Sequence, residues 1–238
     1  MRSFVSDNNS GVHPLVMEAL NRANIDHSLG YGDDKWTEEA VAKIKETFTP
    51  NCVPLFVFNG TGSNVVALQL MTRPYHSIFC AETAHIYVDE CGSPVKMTGC
   101  QIRPIATPDG KLTPDLVRPY LCHFGEQHHS QPGAIYISQC SELGTVYKPD
   151  ELRALTDLAH RHGMYVHMDG ARLANACAAL NLGFRELTVD CGIDILSFGG
   201  TKNGLMLGES VVVFNPALKK EAYFVRKQSA QLASKLRY

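Results

Sequence analysis

The sequence lacks any long apolar run and any concentration of basic charge. None of its apolar runs approaches the roughly 20 residues that a membrane-spanning helix needs. The opening stretch, MRSFVSDNNSG, lacks the apolar segment of a signal peptide. The formal net charge is −2, and lysine and arginine form no block before the last dozen residues, so nucleic acid is not an expected partner.

Paired cysteine motifs are also missing, because no CxxC occurs among the eight cysteines. Most of these cysteines lie in apolar contexts such as SIFCAE and LANACAAL, where cysteine behaves as a small buried apolar residue. Disulfide bonds are the alternative interpretation. We expect reduced thiols, which predicts a cytoplasmic location.

The pattern that is present, from about residue 50 onward, alternates short apolar runs with helical periodicity. Such alternation is typical of βαβ units and predicts an α/β fold, a mostly parallel sheet with helices on both faces. Helices are predicted at about 14–24 and 36–48, at 149–163, and over SNVVALQLM and ARLANACAALN. The predicted strands are Val53–Phe58, Ser77–Ala81, Gln101–Ala106, Ala134–Gln139, Tyr165–Met168, Ile193–Phe198 and Val211–Phe214.

This pattern divides the chain into two parts. Residues 1–50 form an N-terminal arm whose polar loops, SDNNSGVHP and SLGYGDDKW, are expected to contribute to a functional site. Residues 51–238 form the large domain. Ligands of parallel α/β sheets bind at the carboxyl ends of the strands, so the segments that follow the predicted strands are the candidates for a site.

The segment NGTGSN, residues 59–64, follows the first predicted strand and leads directly into a helix. Its glycines allow backbone N–H groups to approach a ligand, and a helix N-terminus favours an anion such as phosphate. A simple helix cap is the alternative. The segment matches neither the dinucleotide-binding nor the P-loop motif.

Two further strand ends carry charged residues. Asp169, in DGAR, would be partly buried and would need a cation, either Arg172 in a salt bridge or a ligand. Lys202, in GGTKN, is either an exposed turn lysine or a nucleophile that forms a Schiff base with a carbonyl. The preceding pair, Gly199 and Gly200, is expected to let the backbone bend sharply.

An anion cradle, an aspartate and a lysine, in that chain order, meet the requirements of pyridoxal phosphate. The lysine would bind its aldehyde, the aspartate its ring nitrogen and the helix end its phosphate. The residues alone therefore predict a pyridoxal phosphate site.

Six blocks of the sequence resemble those of the low-specificity L-threonine aldolases. In order they are SDNNSGVHP, YGDDKWT, FNGTGSN, AETAHIYVDECG, HMDGARLANAC and SFGGTKNGLMLGE, and they extend over essentially the whole chain. The resemblance implies the fold-type-I architecture of pyridoxal phosphate enzymes, as in aspartate aminotransferase. It also implies cleavage of L-threonine, L-allo-threonine and related β-hydroxy-α-amino acids to glycine and an aldehyde, by a homodimer or homotetramer whose subunits share active sites.

The resemblance also implies roles on the cofactor side of the site. Lys202 would hold pyridoxal phosphate as a Schiff base, and Asp169 would pair with the pyridine nitrogen. His85 would stack on the ring and take part in proton transfer, although a lone histidine in this context is often structural. The phosphate would be bound by Gly60, Thr61, Gly62 and Asn64.

On the substrate side, the resemblance assigns the substrate carboxylate to Arg172, with help from Ser6. His128 would lie near the substrate hydroxyl, with His129 as the alternative, and either His85 or His128 would act as base through water. Tyr31 would line the site, in many relatives across a subunit boundary. No metal is implied.

The end of the chain departs from the family pattern. VRKQSAQLASKLRY lies within what resembles the long helix leaving the large domain, and a C-terminal small domain carrying a further substrate-binding arginine is expected to be missing. Arg237 resembles a residue that reaches the cofactor phosphate of a neighbouring subunit; a charged helix end is the alternative. Two other functions stay open: another fold-type-I lyase or transaminase, and a truncated, non-catalytic copy.

Overall fold

A computed structural model describes residues 3–238 of the chain, and one seven-stranded sheet is its central feature. The strand order is β1-β7-β6-β5-β4-β2-β3; β7 pairs antiparallel with both β1 and β6, and all other pairs are parallel. The strands are β1 Val53–Val57, β2 His76–Ala81, β3 Gln101–Ile105, β4 Gln131–Ser138, β5 Tyr165–Gly170, β6 Ile195–Gly199 and β7 Glu209–Val213.

The α-helices of the described residues lie on both faces of this sheet. They are α1 Pro14–Ala23, α2 Lys35–Thr47, α3 Gly60–Met71, α4 His85–Val88, α5 Ser93–Thr98, α6 Pro114–Val117, α7 Pro149–Arg161, α8 Leu173–Leu180 and α9 Ala222–Gln228. One apolar core packs α7 and α8 against one face, and a second packs α3 against the other. The predicted α/β fold with a mostly parallel sheet is confirmed.

All seven predicted strands are present, and only their ends differ. The largest shift is in β4, which begins at Gln131 rather than at Ala134. Helix α7 shows why the helical prediction succeeded. Pro149 occupies its first turn, Leu152 and Leu155 are fully buried, and Gly163 follows its end with φ +68°.

The last residues of the chain do not continue as a long helix, so that expectation is wrong. Helix α9 ends at Gln228, and Ala230 adopts φ +58° shortly afterwards. The chain then turns back toward the N-terminal arm, where the Ser234 carbonyl accepts a hydrogen bond of 3.0 Å from the backbone N–H of Tyr31. None of the helices in residues 3–238 is long and apolar enough to cross a membrane.

Candidate active site

The carboxyl ends of β4, β5 and β6 meet at one edge of the sheet, where Ser138 pairs with Asp169 and Asp169 with Ser197. A cleft of about 430 Å³, including its open mouth, lies at this edge. We call it the active-site cleft. It brings together several of the residues predicted from sequence, and its lining includes Gly60, Asn64, His85, Asp169, Arg172 and Lys202.

Asp169 is the penultimate residue of β5 and accepts three hydrogen bonds inside the protein. The Tyr136 hydroxyl donates to Oδ2 at 2.7 Å, the Asn64 amide donates to Oδ2 at 3.0 Å, and the Ala171 backbone N–H donates to Oδ1 at 3.0 Å. Burial alone would raise the pKa of the Asp169 carboxyl, but these donors hold the pKa below its ordinary value. Asp169 is therefore built to stay ionised.

Arg172 does not pair with Asp169, which excludes the salt bridge that was one of the two alternatives from sequence. The Arg172 guanidinium binds Asp7 of the N-terminal arm, through Nε at 2.7 Å and Nη2 at 3.1 Å. Because neutral donors stabilise Asp169 instead, its negative charge is not neutralised by a direct ion pair among the described residues.

Asn64 lies almost fully buried beneath the cleft and does not present its side chain to a phosphate. Its amide nitrogen donates to Glu90 at 2.8 Å and to Asp169 at 3.0 Å, and its oxygen accepts from Ser197 at 2.9 Å. Both amide hydrogens therefore have carboxylate partners. The phosphate-binding role implied for Asn64 does not fit this geometry, which instead makes Asn64 a positioning residue for Asp169.

His167 supports the same network from within the sheet. It is fully buried, burial lowers its pKa to about 4, and its Nε2 lies 2.9 Å from the Ser197 hydroxyl. Its ring also packs edge-to-face against Tyr136 at 5.2 Å between ring centroids. His167 is thus a neutral packing residue that fixes the donors around Asp169.

His85 begins α4 at the mouth of the cleft and is half-buried. Its Nδ1 lies 3.0 Å from Glu90, and that hydrogen bond raises the pKa of the imidazole against the opposing effect of burial. Its backbone N–H donates to Glu142 at 2.8 Å, and Glu142 also accepts from the Ser138 hydroxyl at 2.6 Å. Two carboxylates therefore flank His85.

Lys202 follows β6 in a short 3₁₀ turn, Thr201–Asn203, and is half-buried at the cleft. Its ammonium group makes no hydrogen bond and no ion pair within residues 3–238. Lys202 is therefore an available amine in a cleft with Asp169 and His85, rather than a fully exposed turn lysine.

The glycines before Lys202 serve close packing and not the sharp bend predicted from sequence. Gly200 has an ordinary right-handed backbone, with φ −106° and ψ −28°. A Cβ at Gly199 would lie 2.7 Å from Ala171 Cα and 2.8 Å from Glu209 Oε2. Gly199 therefore lets β6 approach the segment that follows Asp169, which keeps Lys202 and Asp169 at one edge.

The N-terminus of α3 supplies free backbone donors. The N–H groups of Gly60 and Thr61 have no hydrogen-bond acceptor among the described residues, and a Cβ on Gly60 would meet nothing within 4 Å. Gly62 differs, because its N–H donates to the Asn59 side chain at 2.7 Å and the Gln231 side chain packs against its Cα. An anion thus fits at Gly60 and Thr61 but not at Gly62.

Ser6 and Asp7 bring the N-terminal arm to the cleft. Asp7 holds Arg172, and the Ser6 hydroxyl accepts a hydrogen bond of 3.2 Å from the Asn8 backbone. Ser6 therefore caps the short turn that places Asp7 beside Arg172. The Nη1 atom of Arg172 makes no hydrogen bond within residues 3–238 and remains available to a ligand.

His128 and His129 lie at the opposite edge of the sheet, so their predicted place near the substrate is wrong for a site within one chain. Both precede Gln131, the first residue of β4, whereas the cleft lies at Ser138, the last. A strand of this length spans about 23 Å at the usual rise. The sequence motif GEQHHSQP could not show at which end of β4 it lies.

Tyr31 and Arg237 also lie outside the cleft of their own chain. Tyr31 has φ +60° and is 53% exposed, with the Lys227 ammonium 5.2 Å from its ring centroid. Arg237 donates to the carbonyls of Ile25 and Asp26 at 3.2 and 3.4 Å. It lies beyond α9, which excludes the charged helix end considered from sequence.

Sequence reasoning did not identify four groups that shape the cleft. Tyr136 and Ser197 lie within apolar strands and look like core residues, and Glu90 and Glu142 lie in polar turns of ordinary composition. Only Glu142 has a sequence signal, because it follows the carboxyl end of the predicted strand Ala134–Gln139.

Fold and site together define an α/β protein with a lysine and an ionised aspartate in one cleft at the carboxyl edge of its sheet. A family model described as beta-eliminating lyase matches residues 3–237. The chain is 42% identical to the low specificity L-threonine aldolase of Pseudomonas sp. strain NCIMB 10558, over 100% of this chain and 69% of that protein. The same enzyme of Pseudomonas aeruginosa strain PAO1 has the same identity and coverage. The chain therefore belongs to the beta-eliminating lyase family, among the low specificity L-threonine aldolases.

Solved structures agree with this placement. The structure of Leishmania major threonine aldolase matches with a TM-score of 0.93 and 32% identity, over 100% of this chain and 69% of that chain. A Thermus thermophilus aspartate aminotransferase double mutant matches with a TM-score of 0.69 at 15% identity, over 94% of this chain and 59% of that one, which shows the fold alone. The fold-type-I architecture is confirmed.

Proposed function

We propose that this chain binds pyridoxal phosphate and cleaves L-threonine, L-allo-threonine and related β-hydroxy-α-amino acids to glycine and an aldehyde. One observation carries the proposal. An unpaired lysine amine, Lys202, shares a cleft with a carboxylate, Asp169, whose pKa is held low by three donors. The family membership supports the same chemistry.

The groups in the cleft fit the cofactor, independently of the family membership. Lys202 is an available amine, Gly60 and Thr61 offer free N–H donors at a helix N-terminus, and Asp169 offers an ionised acceptor. When bound, pyridoxal phosphate supplies an aldehyde for the lysine and a ring that accepts the electron pair of the broken Cα–Cβ bond. Asp169 would hold the ring nitrogen of the cofactor, and its negative charge would favour the protonated form of that nitrogen.

Arg172 is the group in this chain best suited to bind the substrate carboxylate. Asp7 fixes the guanidinium by two hydrogen bonds and leaves Nη1 without a partner among the described residues. The guanidinium of Arg172 is therefore oriented before the substrate binds. This arrangement reduces the conformational entropy that Arg172 would lose on binding. Asp7 is thus proposed as a positioning residue.

The hydroxyl proton of the substrate requires a base, and two groups in the cleft are candidates. His85 holds Glu90 through Nδ1, which leaves Nε2 for the substrate side. Glu142 uses Oε1 to accept from Ser138 and from the His85 backbone, while its Oε2 makes no hydrogen bond within residues 3–238. We propose that Glu142 takes the place expected for His128.

The products distinguish this function from the alternatives. The full chain is incubated with pyridoxal phosphate and L-threonine, and glycine, aldehyde, ammonia and 2-oxo acid are measured. Glycine and aldehyde in equal amounts support the aldolase. Ammonia and a 2-oxo acid would show β-elimination instead. Absence of both from a folded, cofactor-bound chain would support a non-catalytic copy, in which binding without turnover reflects incomplete substrate positioning.

We also propose a homo-oligomer with shared active sites and a cytoplasmic location. Tyr31 and Arg237 lie outside the cleft of their own chain, which supports contributions across a subunit boundary. All eight cysteines are free, and five of them are buried: Cys52, Cys80, Cys100, Cys177 and Cys191. Free thiols suit a reducing compartment.

A further inference from the structure

A second cluster of chemically active side chains lies at the amino edge of the sheet, opposite the active-site cleft. His123, Glu126 and His129 each offer one ligand atom, and these three atoms lie within 4.8 Å of one another. The three residues occupy the loop that leads into β4 at Gln131. We call this loop, residues 123–129, the histidine loop.

The distances in this cluster are those of a tetrahedral metal site and are longer than those of a short charge-assisted hydrogen bond. Glu126 Oε2 lies 3.4 Å from His123 Nδ1 and 3.3 Å from His129 Nε2. Ligand atoms at zinc–nitrogen and zinc–oxygen bond lengths are about 3.4 Å apart across a tetrahedral angle. Hydrogen bonds between a cationic donor and a carboxylate are shorter, at about 2.7–2.9 Å.

The imidazoles of His123 and His129 both face Glu126, and neither ring has a hydrogen-bond partner within residues 3–238. The rings of His123 and His129 stack with centroids 4.0 Å apart and planes inclined by 13°. Imidazole binds metals through a ring nitrogen that carries no proton. His123 Nδ1 is buried from solvent and has no hydrogen-bond partner, which is costly for a polar atom unless a ligand satisfies it.

One side chain holds the backbone of all three residues in place. Gln131 Nε2 lies within hydrogen-bond distance of the carbonyls of His123 at 3.3 Å, Glu126 at 3.0 Å and His129 at 3.0 Å. Its Oε1 accepts from the Gly125 N–H at 2.8 Å. Because Gln131 belongs to β4, the loop geometry is anchored to the sheet, as a metal site requires.

We propose that His123, Glu126 and His129 form a binding site for a zinc-class divalent ion, with a water at the fourth position. Two imidazoles and one carboxylate are ligands that zinc prefers, whereas calcium and magnesium favour oxygen donors alone. The side chains of Glu126 and His129 are 55% and 40% exposed, so an ion can reach them from solvent. This site is separate from the active-site cleft of the same chain.

Zinc binding to the 238-residue chain tests the proposal. The chain is treated with a chelator, desalted, titrated with zinc chloride, and assayed for retained zinc per chain. We expect one tightly held zinc in the wild type and at least tenfold weaker binding in His129→Gln and Glu126→Gln. His128→Gln is the matched control, because His128 is the adjacent histidine and lies outside the cluster; its zinc affinity should be unchanged.

Two results would overturn the proposal. One is a wild-type chain that retains no zinc at this site. The other is a His128→Gln chain that loses zinc as strongly as His129→Gln. Circular dichroism of each variant separates loss of a ligand from loss of fold.

Cobalt substitution gives a second readout that needs no variant. Co²⁺ bound to the wild type should show the intense visible absorption of a tetrahedral centre, and weak octahedral bands would contradict the geometry. Gln131→Leu should reduce zinc affinity by about 10- to 100-fold, because it removes the support of the ligand backbone. An unchanged affinity would contradict the anchoring role of Gln131.

Discussion

At the scale of single residues, the cleft depends on how a carboxylate is kept charged inside a protein. Asp169 receives hydrogen bonds from Tyr136, Asn64 and the Ala171 backbone, and these outweigh the effect of burial on its pKa. Burial and the charge of Asp169 raise the pKa of Tyr136 well above its ordinary value, so the tyrosine remains a donor. Each partner thus fixes the protonation state of the other.

Tyr136→Phe tests this arrangement, because it removes one donor and keeps the ring. We expect the affinity for pyridoxal phosphate to fall by about tenfold, equivalent to about 1.4 kcal/mol, as measured by absorbance titration. The free energy of unfolding should fall by about 1 kcal/mol.

The matched control is Tyr147→Phe, since Tyr147 is also fully buried but its hydroxyl accepts a hydrogen bond from the Leu112 backbone N–H, outside the cleft. It should lose similar stability and keep its cofactor affinity. Equal loss of cofactor affinity in both variants would show that general destabilisation, and not Asp169, is responsible.

Substitutions of Glu142 and His128 are expected to have different effects on catalysis. Glu142→Gln should reduce kcat for L-threonine cleavage by about 10²- to 10⁴-fold, the range for loss of a general base. His128→Gln should leave kcat unchanged, because His128 lies at the far edge of the sheet. A large loss in His128→Gln with full activity in Glu142→Gln would return the base to the histidine.

The contact between Glu90 and His85 is expected to make the stability of the chain depend on pH. The hydrogen bond from Glu90 raises the pKa of His85, so its stabilising effect is complete below the ordinary histidine pKa and is lost as pH rises through the raised value. Glu90→Gln should therefore cost more free energy of unfolding at about pH 6 than at about pH 9. Urea unfolding at both pH values measures the difference.

Glu46→Gln is the control for that pH dependence, because Glu46 pairs on the surface with Lys43 and contacts no histidine. Its effect should be small and equal at both pH values. A Glu90→Gln chain whose loss does not change with pH would contradict the coupling between Glu90 and His85.

At the scale of elements, the site depends on close contact between β6 and the segment after β5. Gly199 allows that contact because no Cβ stands between it and Ala171. Sequence patterns predicted both strands correctly, but a Gly-Gly pair is compatible with a bend, a left-handed turn or a close approach. Only the neighbouring segment distinguishes these, and it is 28 residues away along the chain, from Ala171 to Gly199.

Gly199→Ala should destabilise the chain by about 1–3 kcal/mol, because the new methyl group would overlap backbone that cannot move aside easily. It should also weaken cofactor binding, since Lys202 follows directly. Gly11→Ala is the control, because a Cβ there meets nothing within 4 Å. Thermal unfolding of both variants is the measurement, and equal midpoints would contradict the packing argument.

At the scale of the whole molecule, sheet direction decides which residues share a site. The periodicity of apolar residues was enough to predict all seven strands, and strand–helix alternation was enough to predict their mostly parallel arrangement. That placed Asp169, Lys202 and the start of α3 at one edge correctly. The partners of Asp169 and Arg172 were beyond sequence reasoning, because they depend on side-chain contacts between distant segments such as Asp7 and Arg172.

The same directionality explains the errors. His128 precedes its strand and so lies at the amino edge, whereas Glu142 follows the same strand and lies at the cleft. The course of the last ten residues also depends on tertiary contacts, such as that between Ser234 and Tyr31. Local propensity could not predict it.

The central claim is that Lys202 binds an aldehyde cofactor in this cleft, and chemical trapping tests it most directly. The chain is mixed with pyridoxal phosphate, reduced with borohydride, digested and mapped by mass spectrometry, beside Lys202→Ala and the exposed-lysine control Lys96→Ala. We predict one stoichiometric label on Lys202, lost in Lys202→Ala and kept in Lys96→Ala. A folded wild-type chain that carries its label on other lysines, or carries none, would contradict the claim.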